Sequence, residues 1–241
     1  MVGFLERVRR VTKSANVVLE IVDARFIDLT RNTTLERELF AQGKKIILVA
    51  NKADLVQKRR YKAGFPVVWV SSRTRRGSRK LREAIGIAAG SGKAKIAVVG
   101  YPNTGKSSVI NMLRGKKVAR SSISAGYTRG EQLVKISDNL ALIDLPGIIP
   151  LDEMNETELA LIAAKSPWQL KDVQSAAEKM IGIMKANGTR EIMGISITDK
   201  EPEDILAEIA IAKKKLRRGG EADIDSISKI LLLAWQKGKL A

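Results

Sequence analysis

The sequence predicts an α/β protein: a doubly wound sheet covered by helices on both faces, followed by a small all-helical region. Three observations predict it. Short β-branched runs alternate with helical patterns from about residue 15 to residue 150, each run ends at a polar or glycine-rich turn, and past about residue 151 the runs give way to helical periodicity. Apolar runs of this length suit strands buried on both faces, and strands alternating with helices build a doubly wound sheet. The expected organisation is therefore a first domain over 1–163 and a helical domain over 164–241.

In chain order the strands are expected at 17–22, 46–49, 67–70, 96–99, 133–136 and 140–143. Sheets of this kind bind ligands outside the carboxyl ends of their strands, and the chemically distinctive residues fall there. In the tail, residues 170–187 place Val173, Ala177, Met180, Ile181 and Met184 on one helical face and stop at Asn187-Gly188. A second helix opens at Glu201-Pro202-Glu203-Asp204 and closes on Lys213, Lys214, Lys215, Arg217 and Arg218 before Gly219-Gly220. Acids first and bases last complement the helix dipole. A third, from about Asp223, is expected to bury Ile224, Ile227, Leu231 and Trp235.

Composition narrows the function classes. The chain has 241 residues, 44% of them hydrophobic, enough for a well-filled core. No apolar stretch approaches the roughly 18–20 residues needed to span a bilayer, and the first residues lack the apolar core and cleavage site of a signal peptide. Cysteine is absent, which excludes disulfides and fits a cytoplasmic location. Histidine is absent too, so no imidazole can act as base or ligand. Lys and Arg number 43 against 26 Asp and Glu, a net charge of +17, which favours a polyanionic partner, RNA first. Aromatics make up 4%, too few for a base-stacking platform, so phosphate and shape recognition would dominate.

Residues 100–107 read Gly-Tyr-Pro-Asn-Thr-Gly-Lys-Ser, a full P-loop pattern between an expected strand and an expected helix. Glycines let backbone N–H groups turn inward around a phosphate at the helix N-terminus. Asn103, Thr104, Gly105, Lys106, Ser107 and Ser108 are the candidate phosphate contacts; Lys106 supplies a cation and the Ser107 hydroxyl a ligand for Mg²⁺. Asn51-Lys52-Ala53-Asp54 follows the second apolar run and fits guanine. The two oxygens of Asp54 match the ring N–H and the exocyclic amine of that base, whereas adenine would set a lone pair against them. Asn51 would bond the base or brace the pocket, the Lys52 stem would lie against the ring, and Ser71 and Ser72 would back the pocket. Asp144-Leu145-Pro146-Gly147 matches DxxG: Asp144 would hold Mg²⁺ through water and the Gly147 N–H would meet a γ-phosphate. Thr128 lies between the P-loop helix and this box, where a Mg²⁺-ligating switch threonine belongs. Lys106, Thr128 and Gly147 are thus the expected catalytic contacts.

The boxes stand in an unusual order, with the base-reading boxes before the P-loop. Loops gathered at one sheet edge survive such rewiring. The order resembles that of the circularly permuted GTPases of the YlqF/RbgA family. The resemblance spans nearly the whole chain and includes Val22-Asp23-Ala24-Arg25 after the first strand and Arg217-Arg218-Gly219-Gly220-Glu221-Ala222-Asp223 in the tail. It implies GTP hydrolysis with GTP and GDP as ligands, Mg²⁺ as cofactor, and a role in assembling the large ribosomal subunit through ribosomal RNA. A monomer is expected, with no membrane contact. DxxG is the last site box before the tail, which offers a route from γ-phosphate to tail. Three departures matter: no Pro-Gly-His element, Ile148 where many GTPases carry a water-orienting glutamine, and Ala125-Gly126-Tyr127-Thr128 in place of Pro-Gly-x-Thr. Slow intrinsic turnover follows, aided by a partner or by K⁺; Asn103 matches an asparagine that coordinates K⁺ in related GTPases. Two alternatives stand beside this reading. One is a non-catalytic RNA-binding factor stabilised by nucleotide; the other, a P-loop kinase, is disfavoured by the guanine box.

Overall fold

A computed structural model describes residues 12–57, 60–91, 94–114, 132–137, 140–144 and 154–240. Two compact units emerge, one formed by Met1–Asp54 with Arg59–Pro150, the other by Leu55–Lys58 with Leu151–Ala241. In the first, six strands form one sheet: β1 (Val17–Asp23), β2 (Lys45–Asn51), β3 (Val67–Trp69), β4 (Ala94–Val99), β5 (Gln132–Ser137) and β6 (Leu140–Asp144). Their spatial order is β3-β2-β1-β4-β6-β5. All neighbours run parallel except β5, which pairs antiparallel with β6.

The register places the site. Asp23, last in β1, stands opposite Asn51, last in β2, and Glu20 stands opposite Val99, last in β4. From β1 the chain moves outward through β2 and β3, then returns to the other side of β1 as β4. The reversal leaves a crevice between the carboxyl ends of β1 and β4, where open α/β sheets take their ligands.

Among the described residues, the helices α1 (Ile27–Thr30), α2 (Thr33–Ala41), α3 (Ser78–Ala89) and α4 (Lys106–Arg114) serve this sheet. Alternate residues of each central strand face opposite ways, and each set has its own core. Val17, Leu19 and Ile21 pack with Leu81 and Ile85 of α3 and Val109, Ile110 and Leu113 of α4. Val18, Ala97 and Val99 pack with Leu35 and Leu39 of α2 and with Phe65. Both faces are covered, as the near-continuous apolar runs require.

One residue breaks that apolar run. Glu20 sits in the middle of β1, buried, with Oε1 accepting from the Asn32 backbone N–H at 2.7 Å while Oε2 has no hydrogen-bond partner. Burial, and the Glu36 carboxylate beside it, push its pKa well above the ordinary glutamate value. Glu36 is itself held by a fork from Arg31, Nε to Oε1 at 2.5 Å and Nη2 to Oε2 at 2.6 Å, and the Arg31 guanidinium lies over the Tyr61 and Phe65 rings.

The second unit contains α5 (Glu156–Leu161), α6 (Val173–Ala186), α7 (Pro202–Ala212) and α8 (Ile224–Gln236). Caps explain the starts: Asn155 and Glu158 form a capping box on α5, Asp172 caps α6, Pro202 opens α7, and Asp223 caps α8. The expected stripe of α6 is buried, and the Trp235 indole donates to the Leu161 carbonyl at 3.0 Å. Three details differ from expectation. A small hairpin, β7 (Glu191–Ile192) and β8 (Ile195–Ser196), turns through Met193 and Gly194, both at positive φ, so the tail is helical with one hairpin. The basic run lies beyond α7, which stops at Ala212 because Lys214 takes a left-handed conformation. Lys215–Asp223 instead forms a turn closed by the Leu216–Ala222 bridge. Ile224, first in its helix, is half-buried.

The Glu20 pKa sets a stability trend. Unfolded, Glu20 ionises near about 4.3; folded, it holds its proton to higher pH. Its stabilising contribution is therefore complete below the unfolded value and is lost as pH rises through the folded one. Glu20→Gln should raise the melting temperature at pH 8 by about 2–4 °C, the shift expected from roughly 1 kcal/mol in a chain of this size. Thermal unfolding from pH 5 to 8 checks it: the variant should lose less stability than the wild type as pH rises.

Candidate nucleotide site

All five parallel strands end at one edge, and the loops leaving that edge carry the predicted boxes. After β4 the P-loop turns at Gly100 (φ +141°), where a Cβ would lie 2.2 Å from the Ile21 carbonyl. Glycine there lets the loop cross the end of β1. The Thr104 hydroxyl donates to the Tyr101 carbonyl at 2.9 Å, tightening the loop from within. Lys106 Nζ donates to the Gly100 and Tyr101 carbonyls, both at 2.8 Å, so its ammonium spans the loop. Ser107 and Ser108 are exposed in the first turn of α4, whose leading amides lack intrahelical acceptors. Asn103 is exposed at φ +61°. The loop is thus closed on itself by Thr104 and Lys106.

The box predicted to read the base is joined directly to this loop. Asn51 is 1% exposed; its Nδ2 donates to the Thr104 carbonyl at 2.8 Å and its Oδ1 accepts from the Ser72 N–H at 3.0 Å. Of the two roles that the sequence leaves open for Asn51, the described contacts are those of a brace. At Gly105 (φ +92°) a Cβ would stand 2.3 Å from Asn51 Nδ2, so only glycine lets the amide reach the loop.

Asp54 sits on the short 3-10 turn Ala53–Leu55. Burial works against its charge, yet hydrogen bonds from Ser71 and Arg73 outweigh burial and hold the carboxyl below the usual aspartate range. Arg73 Nε and Nη2 both donate to Oδ2, at 3.0 and 2.6 Å. Ser71 is buried, and its hydroxyl also accepts from the Thr74 N–H at 3.1 Å. Asp144 ends β6, whose Ile143 stands opposite Ala97 of β4, so its backbone reaches the same edge as the P-loop. Thr128 and Gly147 lie outside the described residues.

A family model described as 50S ribosome-binding GTPase matches residues 95–215, half of the chain. The chain belongs to the 50S ribosome-binding GTPase family. The match starts at β4, so the box of Asn51 and Asp54 precedes it, as the permuted order requires. An uncharacterized GTP-binding protein of Methanocaldococcus jannaschii is 35% identical over 97% of this chain and 65% of its own length. The guanine nucleotide-binding protein-like NSN1 of Arabidopsis thaliana is 27% identical over 99% of the chain and 47% of its own length. Nuclear/nucleolar GTPase 2 of Oryza sativa is 29% identical over 96% and 46%. The chain thus spans about two thirds to half of these relatives. Among solved structures, the GNP-bound YlqF of T. maritima superposes with a TM-score of 0.63 at 21% identity, covering 98% of this chain and 94% of that one. A GDP-bound TM YlqF gives 0.67 at 21%, covering 97% and 95%. The fold is that of a circularly permuted, YlqF-like GTPase.

In this GTPase family member one functional contact escapes motif reading. Lys52, at φ +63°, pairs through Nζ with Asp23 Oδ2 at 2.6 Å, and Arg25 forks onto the same carboxylate at 2.8 and 3.0 Å. Burial works to raise the pKa of Asp23, but Arg25 and Lys52 outweigh it and keep the carboxyl below the ordinary range. Burial depresses the Lys52 ammonium despite that carboxylate. Asp23 and Arg25 carry the family resemblance in sequence, yet only the register of β1 against β2 reveals Lys52 as their partner.

Asn51→Ala removes both bonds that join the loops and leaves the buried Thr104 carbonyl unpaired. The expected cost is about 1–3 kcal/mol of unfolding free energy. Urea denaturation measures it; an unchanged midpoint would mean that the loops hold without the amide.

Proposed function

We propose that this chain binds GTP and GDP, hydrolyses GTP slowly, and acts as a switch in assembly of the large ribosomal subunit by binding ribosomal RNA. The observation that carries the nucleotide reading is the Asn51 brace, which ties the guanine-type box to the P-loop. In this reading Asp54 takes the two donors of guanine, Lys52 lies along the base, Ser71 and Ser72 back it, and Asn51 holds the pocket to the P-loop. Amides of residues 103–108 wrap the phosphates, and Lys106 exchanges its two carbonyls for phosphate oxygens. Thr128 and Gly147 contact the γ-phosphate.

The oxygen donors available, the Ser107 hydroxyl and Asp144 with Thr128, suit Mg²⁺, a hard cation that prefers oxygen. Bound there, Mg²⁺ would neutralise charge on the β- and γ-phosphates; Asn103 is the proposed K⁺ ligand. Absence of histidine, and Ile148 beside Gly147, support slow intrinsic turnover. The ribosomal reading draws on the family, on relatives named as nucleolar GTPases, and on the +17 charge. In the proposed RNA-binding domain at 164–241, the exposed Lys213, Lys214, Lys215, Arg217 and Arg218 stand on an ordered turn. No described helix is long and apolar enough to cross a membrane. We propose a cytoplasmic monomer.

Asp54→Asn should weaken GTP and favour xanthosine triphosphate, whose second carbonyl accepts from the new amide; calorimetric titration with both nucleotides decides, and unchanged GTP affinity removes Asp54 from the pocket. Lys106→Ala should abolish triphosphate hydrolysis while circular dichroism stays native; normal turnover would sink the P-loop assignment. Co-sedimentation with ribosomal subunits in K⁺ buffer tests the partner. Binding to the large subunit that depends on a non-hydrolysable GTP analogue and survives moderate salt is expected. Nucleotide-blind binding that salt abolishes would reduce the charge to general adhesion.

A further inference from the structure

Residues 73–82 hold six cations and no carboxylate: Arg73, Arg75, Arg76, Arg79, Lys80 and Arg82. They span the end of the serine loop and the first turns of α3, and all six are exposed. Helix stability does not ask for them there. Arg79 and Lys80 sit in the first turn of α3, at the positive end of the dipole, and no acidic residue accompanies them. Three of the cations are held from behind. Arg75 and Arg82 donate to the Met112 carbonyl at 3.4 and 3.3 Å, and Arg82 also to the Leu113 carbonyl at 2.6 Å. Arg73 is held by Asp54. Among the described residues, Arg79, 90% exposed, pairs with the solvated Glu83, at 3.2 Å. The result is an anchored basic face beside the base-reading loop.

We infer that this face binds the phosphate backbone of RNA, and that Arg73 is shared between that RNA and the guanine pocket. The inference rests on the proposed reading that Asp54 takes guanine and that RNA is the partner. Five of the six cations are arginines, whose planar fork matches phosphate oxygens. The face is strongly positive, with Glu83 paired to Arg79 and Ile87 exposed one turn further along α3; its five arginines suit a uniform polyanion better than a folded protein, whose interface would mix signs and bury aromatic residues. The scarcity of aromatics fits reading of backbone rather than bases.

The link follows from the chemistry of Asp54. Arg73 offers an N–C–N pair of donors to Oδ2, and guanine offers the same pattern through its ring N–H and amine, so the two compete for one carboxylate. Drawing Arg73 onto a phosphate frees Asp54 for the base. By reciprocity, guanine nucleotide must then strengthen RNA binding by the same factor. Arg73 is 71% exposed, so the factor is small, about two- to fivefold, as for a solvated ion pair. It depends on the base alone, and GDP should produce it as well as a GTP analogue does.

Fluorescence anisotropy of the full chain with a labelled RNA stem–loop tests both parts, over a series of KCl concentrations, with and without GDP. Arg79→Glu with Lys80→Glu should weaken RNA binding about tenfold and flatten the plot of log K against log salt by about 1–2 units. GDP affinity and circular dichroism should stay native. In the Arg73→Ala variant GDP should no longer strengthen RNA binding, and GDP should bind more tightly without RNA. Wild-type RNA binding that the double variant leaves intact would overturn this proposal alone. Wild type that fails to bind RNA would remove the RNA reading with it. Coupling that persists in Arg73→Ala, or weaker GDP binding by it, would overturn the role of Arg73. Tighter binding to polyglutamate than to RNA would assign the face to an acidic protein instead.

Discussion

A single carboxamide, that of Asn51, connects three loops that lie far apart in the chain. It donates to Thr104 and accepts from Ser72, so both ends of the amide are spent inside the protein. That choice constrains the neighbourhood. Residue 105 must be glycine because nothing else leaves room for the amide, and Asn51 must end β2 opposite Asp23 for the amide to reach the P-loop. The arrangement ties the three loops to one another through the protein's own groups. It also shows why permuted order is harmless: the bonds join strand ends across the sheet, and the path of the chain between them is immaterial.

Three carboxylates near the β1 and β2 strands show how far environment separates like groups. Glu20, buried with another carboxylate beside it, stays protonated to unusually high pH. Asp23, equally buried, is kept ionised by Arg25 and Lys52. Asp54, near the surface, is held ionised by a hydroxyl and an exposed guanidinium. Only the third has a counter-ion that can be replaced without stranding a buried charge, because Arg73 can turn to water while Arg25 cannot. The Asp54–Arg73 pair is thus the exposed one, and the Asp23–Arg25 pair the buried one.

The sheet was legible because its strands are uniformly apolar and end in turn residues; each of the six expected runs lies within or beside an observed strand. The P-loop pattern and Asn51-Lys52-Ala53-Asp54 stand out in the sequence because their spacing is chemical, and the structure joins the loops that carry them. Partnership was less so. Lys52 reads in sequence as a stem for the base, but its ammonium is committed to Asp23, a contact that register alone creates. The run after α7 looks like a basic helix end, whereas one left-handed residue, Lys214, turns it into a closed loop. Strands of two residues, as in β7 and β8, are too short for alternation to show. Glu20 passed unremarked because a lone acid inside an apolar strand announces nothing until its neighbours are known.

The seating of β1 between β2 and β4 has a consequence for synthesis. Emerging from the ribosome N-terminus first, the chain delivers β1, β2 and β3 before β4 exists, and these can pair at once. The outer edge of β1 waits for residues 94–99, some seventy-odd positions later, with its amides and carbonyls unpaired meanwhile. An apolar strand with an open edge is a template for unwanted pairing, and long-range closure is slow. The permuted order therefore exposes a central strand during translation, and the buried acid in that strand, charged until folding encloses it, interrupts what would otherwise be an uninterrupted sticky edge.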